Sequence, residues 1–259
     1  ATEPLGEPHL KQRPPVPALK GIEILKERPV QRLRFQLARR GSVRFLSHLE
    51  QIEMVRRVLR RAQFPLSYTE GFHPQIRCSF GPAVSVGYES DCEYFEADFS
   101  RRMETEQTAK EFAEQLPGGF SLVKVSRVPL FFPSIESLVN RADYCVEWPS
   151  EWGRTVSSED WSALIKEAVA GGLCIEKKKK GKDGREILEK ISVESALIGS
   201  EWISPVSVTL SLKVGAKKNI KPEKLVSLLL HLSDDECRLL RVRRTGMFSL
   251  RPDGTATEL

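Results

Sequence analysis

Residues 32–61 read RLRFQLARRGSVRFLSHLEQIEMVRRVLRR, and here the pattern of a strand is followed directly by the pattern of a helix. In the first eight of these residues, Leu33, Phe35 and Leu37 alternate with arginines and a glutamine. Alternation with a period of two is typical of a strand that buries one face and exposes the other. The sequence therefore predicts a β-strand over residues 32–39 whose arginines face solvent.

A helix is predicted to begin a few residues later. Ser47 and Glu50 have the spacing of a capping box, in which the serine hydroxyl accepts a hydrogen bond from the glutamate amide and the glutamate side chain accepts one from the serine amide. Apolar residues then recur at helical spacing, which predicts a helix over about 48–62. The expected buried stripe consists of Leu49, Ile52, Val55, Leu59 and Ala62.

The rest of the chain extends this start into an order of elements that occurs twice. In the first half we predict strands over 76–80, 93–99 and 120–128 and a helix over 104–116. In the second half we predict strands over 144–148, 206–214 and 238–244, helices over 158–170 and 222–232, and a hairpin over 173–194 that turns at 182–184. The order β-α-β-β-α-β is that of a ferredoxin-like unit. The predicted fold class is therefore α+β, with two tandem ferredoxin-like (βαββαβ) units, the second with an added β-hairpin.

This pattern divides the chain into five parts. They are a proline-rich tether (1–30), a first ferredoxin-like unit (31–129), a linker (130–141), a second ferredoxin-like unit (142–250) and a tail (251–259). With Ala1 rather than Met at its start, we expect either a processed chain or a piece of a longer one, and the tether favours a fusion to something upstream.

Positive charge is concentrated in the stretch that opens the first unit. Residues 32–61 contain nine arginines, two glutamates and no lysine, a net charge of +7 (nine minus two), whereas the whole chain carries +5. A guanidinium can form two parallel hydrogen bonds with a phosphate, so the cluster indicates a polyanionic ligand, foremost RNA. The alternative is a solvated strand and helix face whose arginines pair with the acidic stretch over 89–114.

Two groups of residues are candidates for binding that ligand. The first group flanks the short loop between the strand and the helix and consists of Arg39, Arg40, Arg44 and His48. The second lies in the loop YTEGFHPQIR (68–77), whose aromatic, imidazole and guanidinium groups could stack a base and hold a phosphate. It consists of Phe72, His73 and Arg77. If the loop over 71–87 returns to the end of the sheet where the first group lies, all seven residues would form one concave site. The alternative is an ordinary structured loop.

The two histidines of these groups are also the candidates for catalysis. His48 and His73 could act as an acid–base pair in cleavage of RNA without a metal. The alternative is that each makes only a local polar contact. No serine elbow and no H-E-x-x-H motif occurs in the sequence. We therefore expect a chain that is not catalytic alone.

The composition narrows the class of protein further. Hydrophobic residues make up 40% and charged residues 29%, and no apolar run reaches the roughly 20 residues that span a bilayer. The five cysteines never form a C-x-x-C pair, which predicts neither a metal site nor a disulfide framework. We expect a protein of the reducing cytoplasm that does not associate with a membrane.

Three motifs resemble a known family. RFLSHLE (44–50), GFHPQIRCSFGPAVSVGYES (71–90) and the strand that contains Tyr94-Phe95-Glu96 resemble a radical-SAM-linked family of unknown function. A later motif of the same family resembles residues 220–225 through 241–245, and the resemblance covers about 31–248. This chain has Gln75-Ile76 where the family has a more basic or proline-containing dipeptide.

The resemblance implies a partner. Members of that family are encoded beside, or fused C-terminal to, a cobalamin-binding radical SAM protein. An iron-sulfur cluster, SAM and cobalamin would then belong to the partner, because the three closely spaced cysteines that bind such a cluster are absent here. No cofactor is expected in this chain itself.

Three functions follow as hypotheses. The first is an accessory module that binds ribosomal or transfer RNA for the radical SAM partner. The second is a metal-independent RNA-processing enzyme that uses His48 or His73. The third is a docking module that binds the partner through the acidic helix or the hairpin and does not contact RNA.

Overall fold

The computed structural model describes residues 28–180, 186–215, 219–251 and 253–259, which form a mixed α+β structure. The strands are β1 (Gln31–Arg39), β2 (Cys78–Phe80), β3 (Glu89–Phe99), β4 (Phe120–Val128), β5 (Arg141–Glu147), β6 (Cys174–Lys180), β7 (Glu186–Ser192), β8 (Leu197–Ser204), β9 (Ser207–Lys213), β10 (Arg241–Leu250) and β11 (Ala256–Glu258). The α-helices are α1 (His48–Arg61), α2 (Thr105–Glu114), α3 (Ile135–Leu138), α4 (Ser158–Ala170), α5 (Val193–Ala196), α6 (Pro222–Leu229) and α7 (Asp234–Leu239). Short 3₁₀ helices span Gly41–Phe45 and Ser150–Trp152.

Nine of the strands form one mixed sheet, and β6 and β7 form a separate antiparallel pair. Most of the predicted tether, residues 1–27, and the predicted hairpin turn at 182–184 lie outside the described residues. Within the described ranges, no helix has both the length and the apolarity needed to cross a bilayer.

The first half of the sheet is organised around β1. This strand pairs antiparallel with β4 on one edge and with β3 on the other, and β2 pairs antiparallel with β3. The apolar half of the predicted alternation is confirmed, because Leu33, Phe35 and Leu37 have no exposed surface, but Arg34 and Arg39 are buried and do not face solvent as predicted. The three apolar side chains pack in a core with α1 and α2, in which the ring of Phe35 stacks on that of Phe95 with 4.6 Å between centroids.

Helix α1 begins where the sequence predicts, but it buries a different stripe. The capping box is confirmed: the Glu50 amide donates to the Ser47 hydroxyl, and the Ser47 amide donates to the Glu50 carboxylate. Leu49 was expected in the core, yet 73% of its side chain is exposed. The buried positions are Gln51, Val55, Val58 and Leu59. A polar residue thus occupies the first turn of the buried face, where it meets polar groups of the sheet.

The second half is organised around β5, which pairs antiparallel with β10 and β9, and β9 pairs antiparallel with β8. The sequence pattern did not identify β8, because this edge strand has mostly half-buried side chains and no alternation. The pattern also began the last strand too early. Residues 234–239 form α7, whose capping box joins Ser233 to Glu236.

The two halves join along one edge of β3. β2 pairs with the C-terminal part of that edge, and β10 runs parallel to its N-terminal part through Arg243 opposite Glu89 and Arg244 opposite Ser90. We call this junction the seam. The predicted linker contains α3, whose Ile135 is completely buried in the second core, and the predicted tail contains β11, which pairs with β10.

The core around Phe35 should govern the stability of the first half. Phe35→Ala removes a side chain without exposed surface and leaves a cavity beside Phe95 and Phe112, so we expect it to lower the free energy of unfolding by about 3–5 kcal/mol. Urea denaturation followed by circular dichroism measures the change. The control is Phe131→Ala, since that side chain is 88% exposed and its loss should stay within about 0.5 kcal/mol. Equal effects would contradict this core assignment.

Candidate functional site

A buried ion pair crosses the seam. The Arg244 guanidinium on β10 donates to the Glu93 carboxylate on β3 at 2.5 Å, and the two residues are 1% and 4% exposed. The other Glu93 oxygen accepts from the Gln51 side chain of α1 at 3.1 Å. Gln51 in turn accepts from Arg39 of β1 at 2.9 Å. The elements β10, β3, α1 and β1 are therefore held by one series of polar contacts.

Both members of the pair stay charged although they are buried. Burial by itself would raise the pKa of Glu93, but the charge of Arg244 and hydrogen bonds from neighbouring side chains outweigh it and lower that pKa. Burial would likewise lower the pKa of Arg244, yet the charge of Glu93 raises it above its ordinary value. A buried pair of this kind is costly to break, because one charge is then left without its partner.

Arg39 was expected to contact a ligand, and the structure corrects this expectation. Its side chain has no exposed surface, and burial lowers the pKa of its guanidinium. Besides Gln51, it donates to the carbonyls of Arg44 at 2.5 Å and Leu46 at 3.3 Å. Side chains of a strand alternate between its two faces, and Arg39 lies on the same face as Leu33, Phe35 and Leu37. It therefore points inward with them and holds the following loop in place.

An open groove of about 710 Å³ lies along the seam and takes lining residues from both halves. We call it the seam groove. Its charged lining residues are Arg40, Arg44, Arg238, Arg241 and Arg243, together with Glu89, Glu147 and Glu151. Five arginines against three glutamates leave a net charge of +2. The lining also includes two aromatic side chains, Phe45 and Trp152.

The arginines of the seam groove differ in how far they are already paired. Arg40 bridges Glu89 and Asp91, and Arg243 lies 3.8 Å from Asp91. Arg238 pairs with Asp235 in a contact so exposed that it contributes little. Within the described residues, Arg44 and Arg241 form no ion pair. These two guanidinium groups are therefore the ones most available to an anion.

Two predicted residues, Arg40 and Arg44, line the seam groove, whereas His48 does not. The His48 ring is half-buried against Phe80, with 6.2 Å between ring centroids in an edge-to-face arrangement. Burial lowers the pKa of His48 below its ordinary value. The imidazole is thus near the charges of Glu93 and Arg244 but is not part of the groove lining.

The second predicted group lies at the other end of the sheet. Phe72 and His73 are exposed in a loop whose stem is tied to the C-terminal end of β3: the Asp98 amide donates to Arg77, and the Arg77 guanidinium lies 3.5 Å from the Asp98 carboxylate. Along β1, Asp98 is opposite Arg32 and Ser90 is opposite Arg39. Seven residues of strand, about 23 Å, separate these positions.

The single concave site of seven residues is therefore not formed. Phe72, His73 and Arg77 occupy one end of β1, and Arg40 and Arg44 occupy the other. The loop over 71–87 does reach the first group, but with its last residue: the Gly87 amide donates to the Arg44 carbonyl at 2.8 Å. The chain pairs as β2 along β3 before it arrives there.

The alternative role for the arginine cluster also holds in part. Arg32 pairs with Asp98 at 2.7 Å, and Arg34 pairs with Glu96 at 2.7 Å on the neighbouring strand. Arg40 also pairs with carboxylates of β3. Much of the positive charge near the start of the chain is therefore neutralised within the sheet and is not presented to a ligand.

The sequence analysis missed the basic residues that β10 and α7 bring to the seam groove. They are Arg238, Arg241 and Arg243. The signal was present as RLLRVRR over 238–244, four arginines in seven residues. The same segment has the pattern of a closing strand, and that pattern by itself assigns its arginines no role. Among the described residues, no group of three or more histidines, cysteines, aspartates or glutamates is placed to hold a metal ion, and all five cysteines are free.

Fold and groove together define an α+β protein with a basic cleft at the junction of its two halves. The sequence matches, over residues 32–222, the family described as an uncharacterized protein conserved in bacteria (DUF2344). Because this match spans more than half of the 259 residues, the chain belongs to that family. The match includes Arg40 and Arg44 but ends before the arginines of β10.

Other comparisons add little. No curated protein matches the chain. Among solved structures, a candidate dyp-type peroxidase from Shewanella oneidensis, determined at 2.75 Å resolution, is 10% identical in sequence. The alignment covers 87% of this chain and 94% of that one, with a TM-score of 0.23. A TM-score this low carries no inference about fold or function.

The buried pair should make stability sensitive to acid. The pKa of Glu93 is lower in the folded chain than in the unfolded chain, so the contribution of the pair is complete above the unfolded value of about 4.3 and is lost as the pH falls through the folded value. We expect Glu93→Gln and Arg244→Met each to cost about 3–5 kcal/mol at neutral pH, because each leaves a buried group without its partner. Urea denaturation at several pH values measures both effects.

The double variant supplies the control for this prediction. If Glu93 and Arg244 stabilise the seam through each other, the variant with both substitutions loses less free energy than the sum of the two single losses. Glu93→Gln should also flatten the fall in stability on the acid side. The role given to the pair would be contradicted if the two losses of free energy were strictly additive and the fall in stability at acid pH were the same in Glu93→Gln as in the wild type.

Proposed function

We propose that this protein is an RNA-binding accessory module and that the seam groove is its binding surface. The observation that carries the proposal is the position of Arg44 and Arg241 in one groove, from different halves and without ion pairs in the described part of the chain. Guanidinium groups that are not already neutralised are the ones that can exchange solution counterions for phosphates. Ribosomal or transfer RNA is the expected class of ligand.

Aromatic side chains support RNA over a small anion. Phe45 and Trp152 line the same groove as the two arginines. Proteins that bind single-stranded nucleic acid combine a positively charged groove with aromatic rings on which bases stack. Phe45 is exposed and Trp152 is half-buried, and a site for phosphate or carboxylate alone would not need an exposed aromatic ring beside its arginines.

A radical SAM protein with bound cobalamin is the partner we propose. The support is the resemblance of residues 44–50 and 71–90 to the radical-SAM-linked family. In this arrangement the partner holds the iron-sulfur cluster, SAM and cobalamin and performs the modification, and this chain presents the RNA. The partner is either a separate protein or the upstream part of a fused chain.

We also infer that each half is a ferredoxin-like unit. The strand order β4-β1-β3-β2 in the first half and β10-β5-β9-β8 in the second support this, as do the antiparallel pairings within each half. Both orders place the first strand of the unit in the interior, as the ferredoxin-like arrangement requires. The pair β6–β7 is then an insertion in the second unit.

Cleavage of RNA by a pair of histidines is not favoured by the geometry. His73 is exposed in the loop near Asp98, and His48 lies half-buried at the start of α1 near the opposite end of β1. General acid and general base must both reach one scissile phosphate. No described contact brings the two imidazoles together, so no observation supports this function.

Arg241→Ala should weaken binding of RNA without disturbing the fold, because the side chain is exposed and forms no ion pair with another described residue. Loss of one phosphate contact should reduce the slope of log K against log salt by about 0.7 to 1 unit. Arg44→Ala should act in the same direction. Filter binding of labelled total transfer RNA over a range of salt concentrations measures the affinity and the slope.

Arg102→Ala is the matched control, since Arg102 is an exposed arginine that follows the C-terminal end of β3, away from the seam groove. Its affinity and salt slope should equal those of the wild type. If the wild type shows no affinity for RNA at low salt, the proposal fails. If the protein then co-purifies with the radical SAM partner after ribonuclease treatment, the RNA-binding proposal is replaced by that of a docking module that does not contact RNA.

A further inference from the structure

Phe45 is exposed where the fold gives no reason for it. The ring lies in the seam groove and is 60% exposed, although a phenylalanine at this position could have been replaced by a polar residue without loss to either core. The Arg44 guanidinium lies over it, 4.8 Å from the ring centroid. A cation over an aromatic face stabilises that arrangement and leaves a flat, charged platform at the surface.

The platform is held on fixed backbone. The carbonyl of Arg44 accepts hydrogen bonds from Arg39 and from the Gly87 amide, and the carbonyl of Leu46 accepts another from Arg39. The backbone on both sides of Phe45 is therefore tied to the buried polar chain of the seam. A side chain that is exposed but positioned in advance loses little entropy when a ligand stacks on it.

The space beside the platform suits a strand of a few nucleotides. The seam groove, at about 710 Å³, lies within the range of roughly 300–1,000 Å³ that encloses a ligand of moderate size. A second cavity of about 330 Å³ adjoins it and shares Arg241, Glu147, Pro149 and Glu151 in its lining. The two cavities are therefore neighbours on the side of the groove where Arg241 lies.

Stacking on such rings requires bases that are free. In a duplex the bases are stacked on one another, and A-form RNA offers proteins its backbone and the edges of its bases in the shallow groove. A ring inside a groove can meet a base only if that base is unpaired and can be turned outward. The two aromatic residues therefore discriminate between unpaired and paired RNA.

We propose that the seam groove binds an unpaired segment of RNA, with one base stacked on Phe45 beside Arg44, a second base at Trp152, and the connecting phosphates at Arg241. The proposal rests on the RNA-binding function given above and specifies the form of RNA that is recognised. Loops, bulges and single-stranded ends are the elements of a folded RNA that meet this requirement.

Fluorescence anisotropy with a labelled, unstructured RNA of about 12 nucleotides tests the proposal, since single-strand sites span roughly 4–16 nucleotides. The same strand annealed to its complement is the comparison. We expect the wild type to bind the single strand at least about tenfold more tightly than the duplex. Phe45→Ala should weaken binding of the single strand by about 5- to 150-fold and leave duplex binding unchanged. Phe45→Trp, which keeps an aromatic ring, should restore tight binding.

Two further measurements separate stacking from a change in fold. Phe131→Ala removes an 88% exposed aromatic ring outside the seam groove and should leave both affinities unchanged. RNA should quench part of the tryptophan fluorescence of the wild type, and Trp152→Phe should abolish that part.

The outcomes distinguish this inference from the proposed function. If single strand and duplex bind equally well and Phe45→Ala binds like the wild type, while Arg241→Ala still weakens binding, the protein binds RNA but the preference for unpaired segments is wrong. If neither form of RNA binds to the wild type at low salt, the proposed function fails and the inference fails with it.

Discussion

The ion pair between Glu93 and Arg244 is the interaction on which the arrangement of the two halves depends. A buried carboxylate needs both a counter-charge and hydrogen-bond donors, and here the counter-charge comes from a residue 151 positions away along the chain. Only two residue pairs of β3 and β10 are in register across the seam, and apolar side chains of β3, Cys92 and Tyr94, also pack in the second core. The polar chain from Arg244 through Glu93 and Gln51 to Arg39 specifies one orientation, because any shift would leave a buried charge unpaired.

The same chain of contacts reaches the surface. Arg39 donates hydrogen bonds to the backbone carbonyls on both sides of Phe45. These bonds place the loop between β1 and α1 at the edge of the groove. Arginine therefore has two distinct roles in this protein. Where it is buried, as in Arg39 and Arg244, it joins elements of the fold; where it is half-exposed and has no ion pair among the described residues, as in Arg44, it can meet an anion. The residue type is the same, and the surroundings decide the role.

The seam groove extends beyond the part of the chain that the family model matches. The match to the family of uncharacterized bacterial proteins ends at residue 222, so it includes one wall of the groove and excludes the arginines of the other. Neither half could form the groove by itself, since Arg40 and Arg44 come from the first and Arg238, Arg241 and Arg243 from the second. The surface is open and basic, and it is on this combination that the proposed RNA-binding role depends.

Local physical rules made much of the secondary structure predictable from the sequence. The alternation of Leu33, Phe35 and Leu37 predicted β1, and the spacing of Ser47 and Glu50 predicted the start of α1, because each depends only on residues close together in the chain. The edge strand β8 had no such pattern and was missed.

The site was largely a matter of tertiary structure. In the sequence, nothing distinguishes Arg44 from Arg32, Arg34 and Arg40. In the folded chain, carboxylates on the adjacent strand neutralise the last three. Strand pairing also places Phe72, His73 and Arg77 at the far end of the sheet. Which charges remain free depends on neighbours that are distant in sequence, and only the folded chain brings those neighbours into contact.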